Sequence, residues 1–546
     1  MKGSKDNQSA LRLPVEQDEG YAGEIPAFMS FNSWKSVALC LVIIVLVGGF
    51  LRGFDLGAKS FWIDELLSLN HAGEITGWHS FLAPSSGDWH PPLYFLLLKG
   101  WLLFGKGESW ARLLSVFLGI AVIPATFALA RQFFTILVSL LSSFLVAASP
   151  LFLLYDREVR NYPLFTLMSV MSLYFLVRGL RKRQMRYWLG YTAFTALAMY
   201  THYHGFLLVL GELVFVCLSF SRFRPHWKVF VLSLATVGLL CLPMLPTFLR
   251  HLQEANQSLS QGGKFPIFLG YPVKPIYIAY GFALGQTILP WNPVAIVGGL
   301  VVLTSLAFTH KGMHEQREIA TLLVSCLLLP IILGPLLSES MPRYYLFAGP
   351  LFYMLLAMGM EAVRPVPLRF SLGIALILVW GIGISNYYSD RQFHVLAHVT
   401  PWREVGQFIG ANVMQGDTII HVALKPKIGT EPLSYYAQKH IPVYGQEVLA
   451  ALPELTKGGS VPRVWLILSE PALQEASGPP LAWLADNYSQ CKAWRYFRDP
   501  DFRLKRRVFR KDFAEYRIQI FRFEKPRVDE ARRAVCQPKS ESDRDL

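Results

Sequence analysis

The amino-acid sequence predicts a polytopic α-helical membrane protein of about 11 transmembrane helices, with interfacial helices in the first external loop and a small C-terminal α/β soluble domain. Three observations carry that prediction. The apolar residues gather in blocks close to the roughly 20 residues that cross a bilayer. Only 16% of the 546 residues are charged, where ordinary soluble domains carry roughly 25%. From about Asp390 the apolar pattern changes to that of short helices and strands.

Residues 1–35 are polar and read as a cytoplasmic N-terminal segment. The run Ser36 to Phe54 is the first span, long enough to stay as an anchor rather than be removed as a leader. Asp55 to Pro91 is too polar to cross. Pro91 to Gly105 is apolar but only about 14 residues long and interrupted by Lys99, which suits an interfacial helix. Ten further spans follow: Trp110–Ala130, Phe133–Leu154, Pro163–Leu180, Tyr187–Thr201, Gly205–Phe220, Val229–Leu249, Pro293–Thr309, Ile319–Leu337, Tyr345–Met360 and Phe370–Ser385. Pro275 to Pro290, rich in aromatics and Gly, is set at the interface. Counting both ambiguous runs as spans would raise the total to about 13.

Loop charge tests the count. With the N-terminus cytoplasmic, the inside loops include RGLRKRQMR (178–186), SRFRPHWK (221–228) and THKGMHEQRE (309–318), all rich in Lys and Arg as the positive-inside tendency requires. The outside loops are then Asp55 to Trp110, Asp156 to Tyr162, THYHG (201–205), Arg250 to Trp291 and SESMPRY (338–344). The transmembrane domain covers 36–389. A periplasmic or extracellular α/β domain covers 390–525, and 526–546 is a charged tail that reads as disordered. In the α/β domain, WREVGQFIGANV and PLAWLADNY read as helices, and GDTIIHV, RVWLILSE and YRIQIFRFEK as strands.

The net charge of +14 does not indicate nucleic acid, because much of the Lys and Arg sits in short loops beside spans and the rest mainly in the C-terminal tail. Cys40, Cys217, Cys241 and Cys326 lie in apolar spans as packing residues. Cys491 and Cys536 could pair outside the cytoplasm, and no cysteine spacing suits a metal.

The chemistry collects on the outer loops. Asp64 and Glu65 follow the first span beside Trp62, where a carboxylate can act as a general base or simply charge a helix N-terminus. YDREVRNYPLF packs Asp156, Arg157, Glu158, Arg160 and Tyr162 between two spans. Ionisable groups there are costly unless paired or used. His90 precedes Pro91-Pro92 and could hold phosphate or a carboxylate. His202 and His204 of THYHG could ligate a metal, although no nearby carboxylate completes a site. Arg343, followed by Tyr344, opens a span with a planar charged fork suited to phosphate, or snorkels at the interface.

In these residues the chain resembles the GT-C superfamily of membrane glycosyltransferases, in particular bacterial relatives of the protein O-mannosyltransferases and the lipid A aminoarabinose transferase. The matching elements are WIDE, with Asp64 and Glu65; HPPLYF, from His90; WARLLSVFLG; YDREVRNY, with Glu158, Arg160 and Tyr162 in place; and PRYYLFAGP, with Arg343 and Tyr344. Val159 and Asn161 depart from the usual Ala and Pro, and Asp156 is an extra carboxylate, which leaves open which acid of that loop acts. The resemblance implies a polyprenyl-phosphate sugar donor, a lipid, glycan or protein acceptor, and inverting transfer on the non-cytoplasmic face of the cell (inner) membrane. It implies Asp64 as base, with Glu65 and Glu158 on acceptor or sugar. It further implies Arg160, Arg343 and His90 on the leaving lipid phosphate, with Asp156, Tyr162 and Tyr344 lining the site. The sequence requires no cofactor, and a divalent metal (Mg or Mn) stays open. The alternatives are a transporter or flippase of polyprenyl-linked sugars, which should show repeats and mid-span charges, and a sensor with the α/β domain as ligand binder.

Overall fold

The computed structural model describes residues 34–77, 90–182, 184–250, 273–309, 317–337, 341–391, 396–422, 432–444, 446–456, 461–469, 478–488, 490–498, 516–525 and 536–538, together with Arg503 and Arg507. Among these, seven helices are long and apolar enough to cross a membrane: Trp34–Gly53, Glu108–Ala130, Tyr162–Lys182, Phe220–Arg250, Arg317–Leu336, Pro342–Ala362 and Val366–Tyr388. An eighth candidate is the pair Ile136–Ala148 and Pro150–Asp156, bent by 55°. The remaining expected spans are helices of 15, 14 and 15 residues at Met185–Met199, Gly205–Leu218 and Pro293–Ala307. The two ambiguous runs form helices of 9 and 12 described residues.

The elements around the site are α1 (Trp34–Gly53), α2 (Ile63–Glu74), α3 (Leu93–Trp101), α4 (Glu108–Ala130), α5 (Ile136–Ala148), α6 (Pro150–Asp156), α7 (Tyr162–Lys182), α8 (Met185–Met199) and α9 (Gly205–Leu218). The outer face of α1 presents Leu39, Ile43, Leu46 and Phe50, a surface that only hydrocarbon suits. The bend between α5 and α6 has a local cause. Ser149 caps α6 through Phe152 N at 3.3 Å and hydrogen-bonds Tyr353 Oη at 2.6 Å. Pro150 follows at the first helical position, where its missing N–H costs nothing.

The bend carries Asp156 to the edge of the helix core. Its Oδ2 accepts from Arg52 Nε at 2.7 Å, with both side chains fully buried. Arg52 also donates to the carbonyls of Gly48, Ala147 and Val146, so it is satisfied on all sides. This pair needs Gly119 on α4, where a Cβ would lie 2.3 Å from Asp156 Cγ.

The C-terminal domain is a six-stranded sheet of order β2-β1-β3-β5-β4-β6: β1 Thr418–Val422, β2 Val443–Tyr444, β3 Arg463–Leu468, β4 Gln490–Arg498, β5 Tyr516–Glu524 and β6 Cys536–Pro538. β1 runs parallel to β2 and β3; β3–β5 and β5–β4 are antiparallel; β4–β6 is parallel. Helices Trp402–Asn412 and Gly478–Asn487 match the sequence expectation. β4 was not foreseen, because QCKAWRYFR mixes charge and aromatics without clean alternation. The tail read as disordered contains β6. Its charged composition is overridden by pairing, with Cys536 opposite Cys491 in register and Cys491 disulfide-bonded. The four cysteines of the apolar runs are free.

The sheet domain grips the first external loop. Arg403 donates to Ser60 Oγ from its backbone N (3.0 Å), to Gly57 O (2.8 Å), and to Glu108 Oε1 at the start of α4 (3.1 Å). Tyr436 Oη donates to Glu108 Oε1 at 2.5 Å and accepts from Phe61 N at 2.7 Å. Lys59 pairs with Asp390. Burial, with Arg157 and Arg112 adding, pulls the Lys59 ammonium down to about 7.

Candidate active site

α2 begins just after Trp62, and its third residue closes half of a capping box: Glu65 Oε2 accepts from Trp62 N at 3.3 Å. The same carboxylate takes the fork of Arg112, Nε to Oε1 at 2.8 Å and Nη2 to Oε2 at 2.7 Å. It also accepts from Val159 N at 3.0 Å. Arg112 gives further N–H groups to the carbonyls of Leu56 (3.0 Å), Lys59 (2.8 Å) and Ser60 (3.1 Å). Glu65 is therefore fully buried and committed to protein partners. It fastens three segments together: the first loop, α4 and the turn 157–161.

Asp64 sits one residue earlier, turned about 100° around the helix, and faces elsewhere. Its Oδ2 accepts from Arg343 Nη1 at 3.0 Å, with the side chains 20% and 14% exposed. Arg343 stands at the head of the 3₁₀ turn Pro342–Ala348 that opens a span. Its guanidinium lies 5.6 Å from the Trp62 ring and 5.2 Å from that of Tyr344. Arg160 approaches from the other side. Its Nη1 donates to Asp64 O and Ser68 Oγ, both at 3.0 Å, and its guanidinium lies 5.6 Å from the Tyr162 ring. The sequence grouped these residues by loop. The structure brings Asp64, Arg160 and Arg343 to one place across 279 positions of chain.

Beside them is a cluster of rings. His90 lies 4.8 Å from His202, 6.2 Å from Tyr162 and 6.4 Å from Tyr344 between centroids. His202 lies 4.8 Å from His204, and His204 5.7 Å from Tyr344. Asn161 brings the histidine turn here, its Nδ2 donating to Thr201 O at 2.7 Å. α3 is tied on by Leu93 N to Tyr200 O at 2.9 Å. Burial, followed by the positive neighbours, holds His90 and His202 well below the usual imidazole value, and burial takes His204 to about 4. All three are neutral at neutral pH, next to two permanent cations. Neutral donors beside Arg forks suit an anion that also offers hydrogen-bond acceptors.

Two expected site residues are placed differently. Asp156, grouped with the substrate-binding residues, pairs with Arg52 among the helices. Glu65, grouped with the catalytic residues, is the clamp just described. Glu158 pairs with His398 Nδ1 at 2.6 Å, and burial raises its carboxyl. His398 comes from the segment after the last span and lies 4.4 Å from Trp62 between ring centroids. These groups border a cavity of about 20 Å³, room for one water. Sequence reasoning picked out WARLLSVFLG but gave its Arg112 no role, missed His398, which carries no local signal, and treated His202 and His204 only as metal ligands. Among the described residues no group of three His, Cys, Asp or Glu could hold a metal ion; Asp88, a further carboxylate of the first loop just before His90, lies outside them. The described donors do not form a metal site.

The family model of dolichyl-phosphate-mannose-protein mannosyltransferase matches residues 89–249. No curated protein sequence matches the chain. Among solved structures, the chain is similar to apo ArnT from Cupriavidus metallidurans, at 13% identity and TM-score 0.51, covering 89% of this chain and 98% of that one. It is also similar to the apo Archaeoglobus fulgidus oligosaccharyltransferase, at 12% identity and TM-score 0.54, covering 83% and 72%. A third is AglB from Archaeoglobus fulgidus in complex with an inhibitory peptide and a dolichol-phosphate, at 12% identity and TM-score 0.52, covering 82% and 71%. The chain has the fold of the GT-C superfamily membrane glycosyltransferases, a multi-pass membrane architecture.

Proposed function

We propose that this chain is a glycosyltransferase that moves a sugar from a polyprenyl-phosphate donor to a hydroxyl of a lipid, glycan or protein acceptor, on the non-cytoplasmic face of the cell membrane. The observation that carries the reading is the Asp64–Arg343 pair, a carboxylate and a phosphate-seeking fork 3.0 Å apart at the edge of the spans. The family match and the dolichol-phosphate held by AglB support the donor class. The Lys/Arg-rich loops opposite the site support the orientation, as does the disulfide at Cys491, since disulfides persist in oxidising compartments.

In this reading Asp64 removes the proton of the acceptor hydroxyl as its oxygen attacks the anomeric carbon. The bond from that carbon to the phosphate oxygen breaks, and the electron pair leaves with the lipid phosphate. Arg343 and Arg160 receive the developing charge, a contribution of several kcal/mol in a site closed to water, and His90, Tyr162 and Tyr344 line the phosphate side. A single displacement inverts the configuration. Arg343 links the two halves, because the fork that pairs with Asp64 is also the one that meets the phosphate.

Membranes expressing wild type or Asp64→Asn would be given a panel of radiolabelled polyprenyl-phosphate sugars, with label followed into lipid, glycan and protein fractions. Transfer by wild type that falls at least about 100-fold in a stably expressed Asp64→Asn supports the reading, in line with the usual share of a general base. Equal transfer by both removes Asp64 as the base. Donor movement across the bilayer without transfer would favour a flippase.

A further inference from the structure

The motif THYHG has no role in the reaction just described, yet its first histidine is chemically specified. His202 Nδ1 accepts the backbone N–H of His204 at 3.0 Å. Burial keeps the ring neutral. A neutral imidazole whose Nδ1 is an acceptor carries its single proton on Nε2. That Nε2–H is buried, with the residue 2% exposed, and has no partner among the described residues. Phe165 stacks on the ring at 5.1 Å and limits its rotation. A second orphan donor stands beside it, the hydroxyl of Tyr162, on a residue 1% exposed whose ring centroid lies 6.1 Å from that of His202. Buried donors are almost always satisfied, so two neighbouring exceptions mark a place where something else supplies the acceptor. Arg160 and Arg343 are both near enough to act electrostatically on His202, which gives that acceptor a negative charge.

Resting on the glycosyltransferase reading, we infer that His202, fixed in the Nε2–H tautomer by the His204 amide, and Tyr162 donate hydrogen bonds to the phosphoryl oxygens of the polyprenyl phosphate. They hold the phosphate as donor enters and as product leaves. His202 is a binding residue whose geometry is set by its own turn. It needs no protonation to act, so its contribution persists at neutral pH, where an imidazolium would be lost.

The test uses the full-length enzyme in detergent. Unglycosylated polyprenyl phosphate serves as inhibitor and the glycosylated lipid as substrate. His202→Ala and His202→Asn lack the Nε2 donor, whereas His202→Gln keeps an N–H near it. Hydrogen bonds to charged groups typically contribute about 1.5–3 kcal/mol. His202→Ala and His202→Asn are therefore expected to raise both the inhibitor IC50 and the donor KM by roughly tenfold or more. Gln should restore both to within about threefold of wild type, and Tyr162→Phe should move both in the same direction by less. An unchanged IC50 in His202→Ala, with Asp64-dependent transfer intact in wild type, overturns the inference and leaves the glycosyltransferase reading standing. A raised KM with unchanged IC50 also overturns it, assigning Nε2–H to a sugar hydroxyl. If wild type shows no Asp64-dependent transfer, the parent reading fails instead. Should His202→Ala not fold, Gln and Tyr162→Phe decide: normal IC50 values in Tyr162→Phe would remove the paired-donor site.

Discussion

Two charge clusters sit at the same edge of the spans and are built on opposite principles. In the clamp, Glu65 answers Arg112, Asp156 answers Arg52, and Arg157 donates to the carbonyls of Leu51, Arg52 and Asp55 and to two tyrosine hydroxyls. In the site, among the described residues, Asp64 has a single ion-pair partner, and Tyr162 Oη and His202 Nε2 have no hydrogen-bond partner. The difference is sharpest at Glu65, whose two oxygens both have protein partners and which holds shape; Asp156 stands between the two clusters, since its Oδ1 has no partner among the described residues. Asp64 and Glu65 are neighbours in sequence and stand on opposite sides of that line.

The largest effect should come from breaking the clamp. Arg112→Met strips Glu65 of its fork and three carbonyls of their donor, and removing one member of a buried pair costs about 3–5 kcal/mol. The expected result is a sharply lowered thermal midpoint in detergent, with activity lost alongside. Asp64→Asn should do the reverse, with transfer abolished and the midpoint within a few degrees of wild type. A shared loss in both would erase the distinction between clamp and site. Gly119→Ala is next. The new methyl meets Asp156, and overpacking of this kind costs about 1–3 kcal/mol, so the midpoint should fall while the donor KM stays near wild type.

The smallest effect is a pH dependence. His204 has a folded value of about 4, below its ordinary 6.5. The unfolded chain therefore binds more protons between those values, and the stability His204 contributes is full above about 6.5 and lost as pH falls toward 4. Glu158, raised by burial, works in the other direction. Comparing wild type with His204→Gln isolates the histidine: the variant's midpoint should fall less between pH 7 and pH 5. Parallel curves would mean that this histidine binds protons equally in the folded and unfolded chain.

Much of this architecture was legible beforehand. Apolar blocks of span length specify helices because the bilayer permits little else. The site was legible as a set of loops: WIDE, HPPLYF, YDREVRNY and PRYYLF all contribute to one place. Which acid does what was not. Adjacent helical residues point about 100° apart, and only the position of Arg112, 47 residues on, makes Glu65 the clamp. Asp156 looked like a loop acid and is a core one, because the Ser149–Pro150 bend turns it inward. The histidine pair was visible as a motif, but its tautomer depends on a backbone amide that no spacing rule reports.

The grip of the sheet domain on the first loop has a consequence in time. Phe61 N finds its acceptor on Tyr436, 375 positions later, and Ser60 finds Arg403 after 343. At roughly 5–20 residues per second of synthesis, the stretch leading into Asp64 waits on the order of 20–75 s for those partners. The spans can pack in that interval and Arg112 can take the carbonyls of Leu56, Lys59 and Ser60, but Phe61 N and Ser60 Oγ still lack their partners. A ribosome must pass the far domain before the last fastenings of the acid loop exist, so a chain cut short before Arg403 would hold that loop through Arg112 and the spans alone.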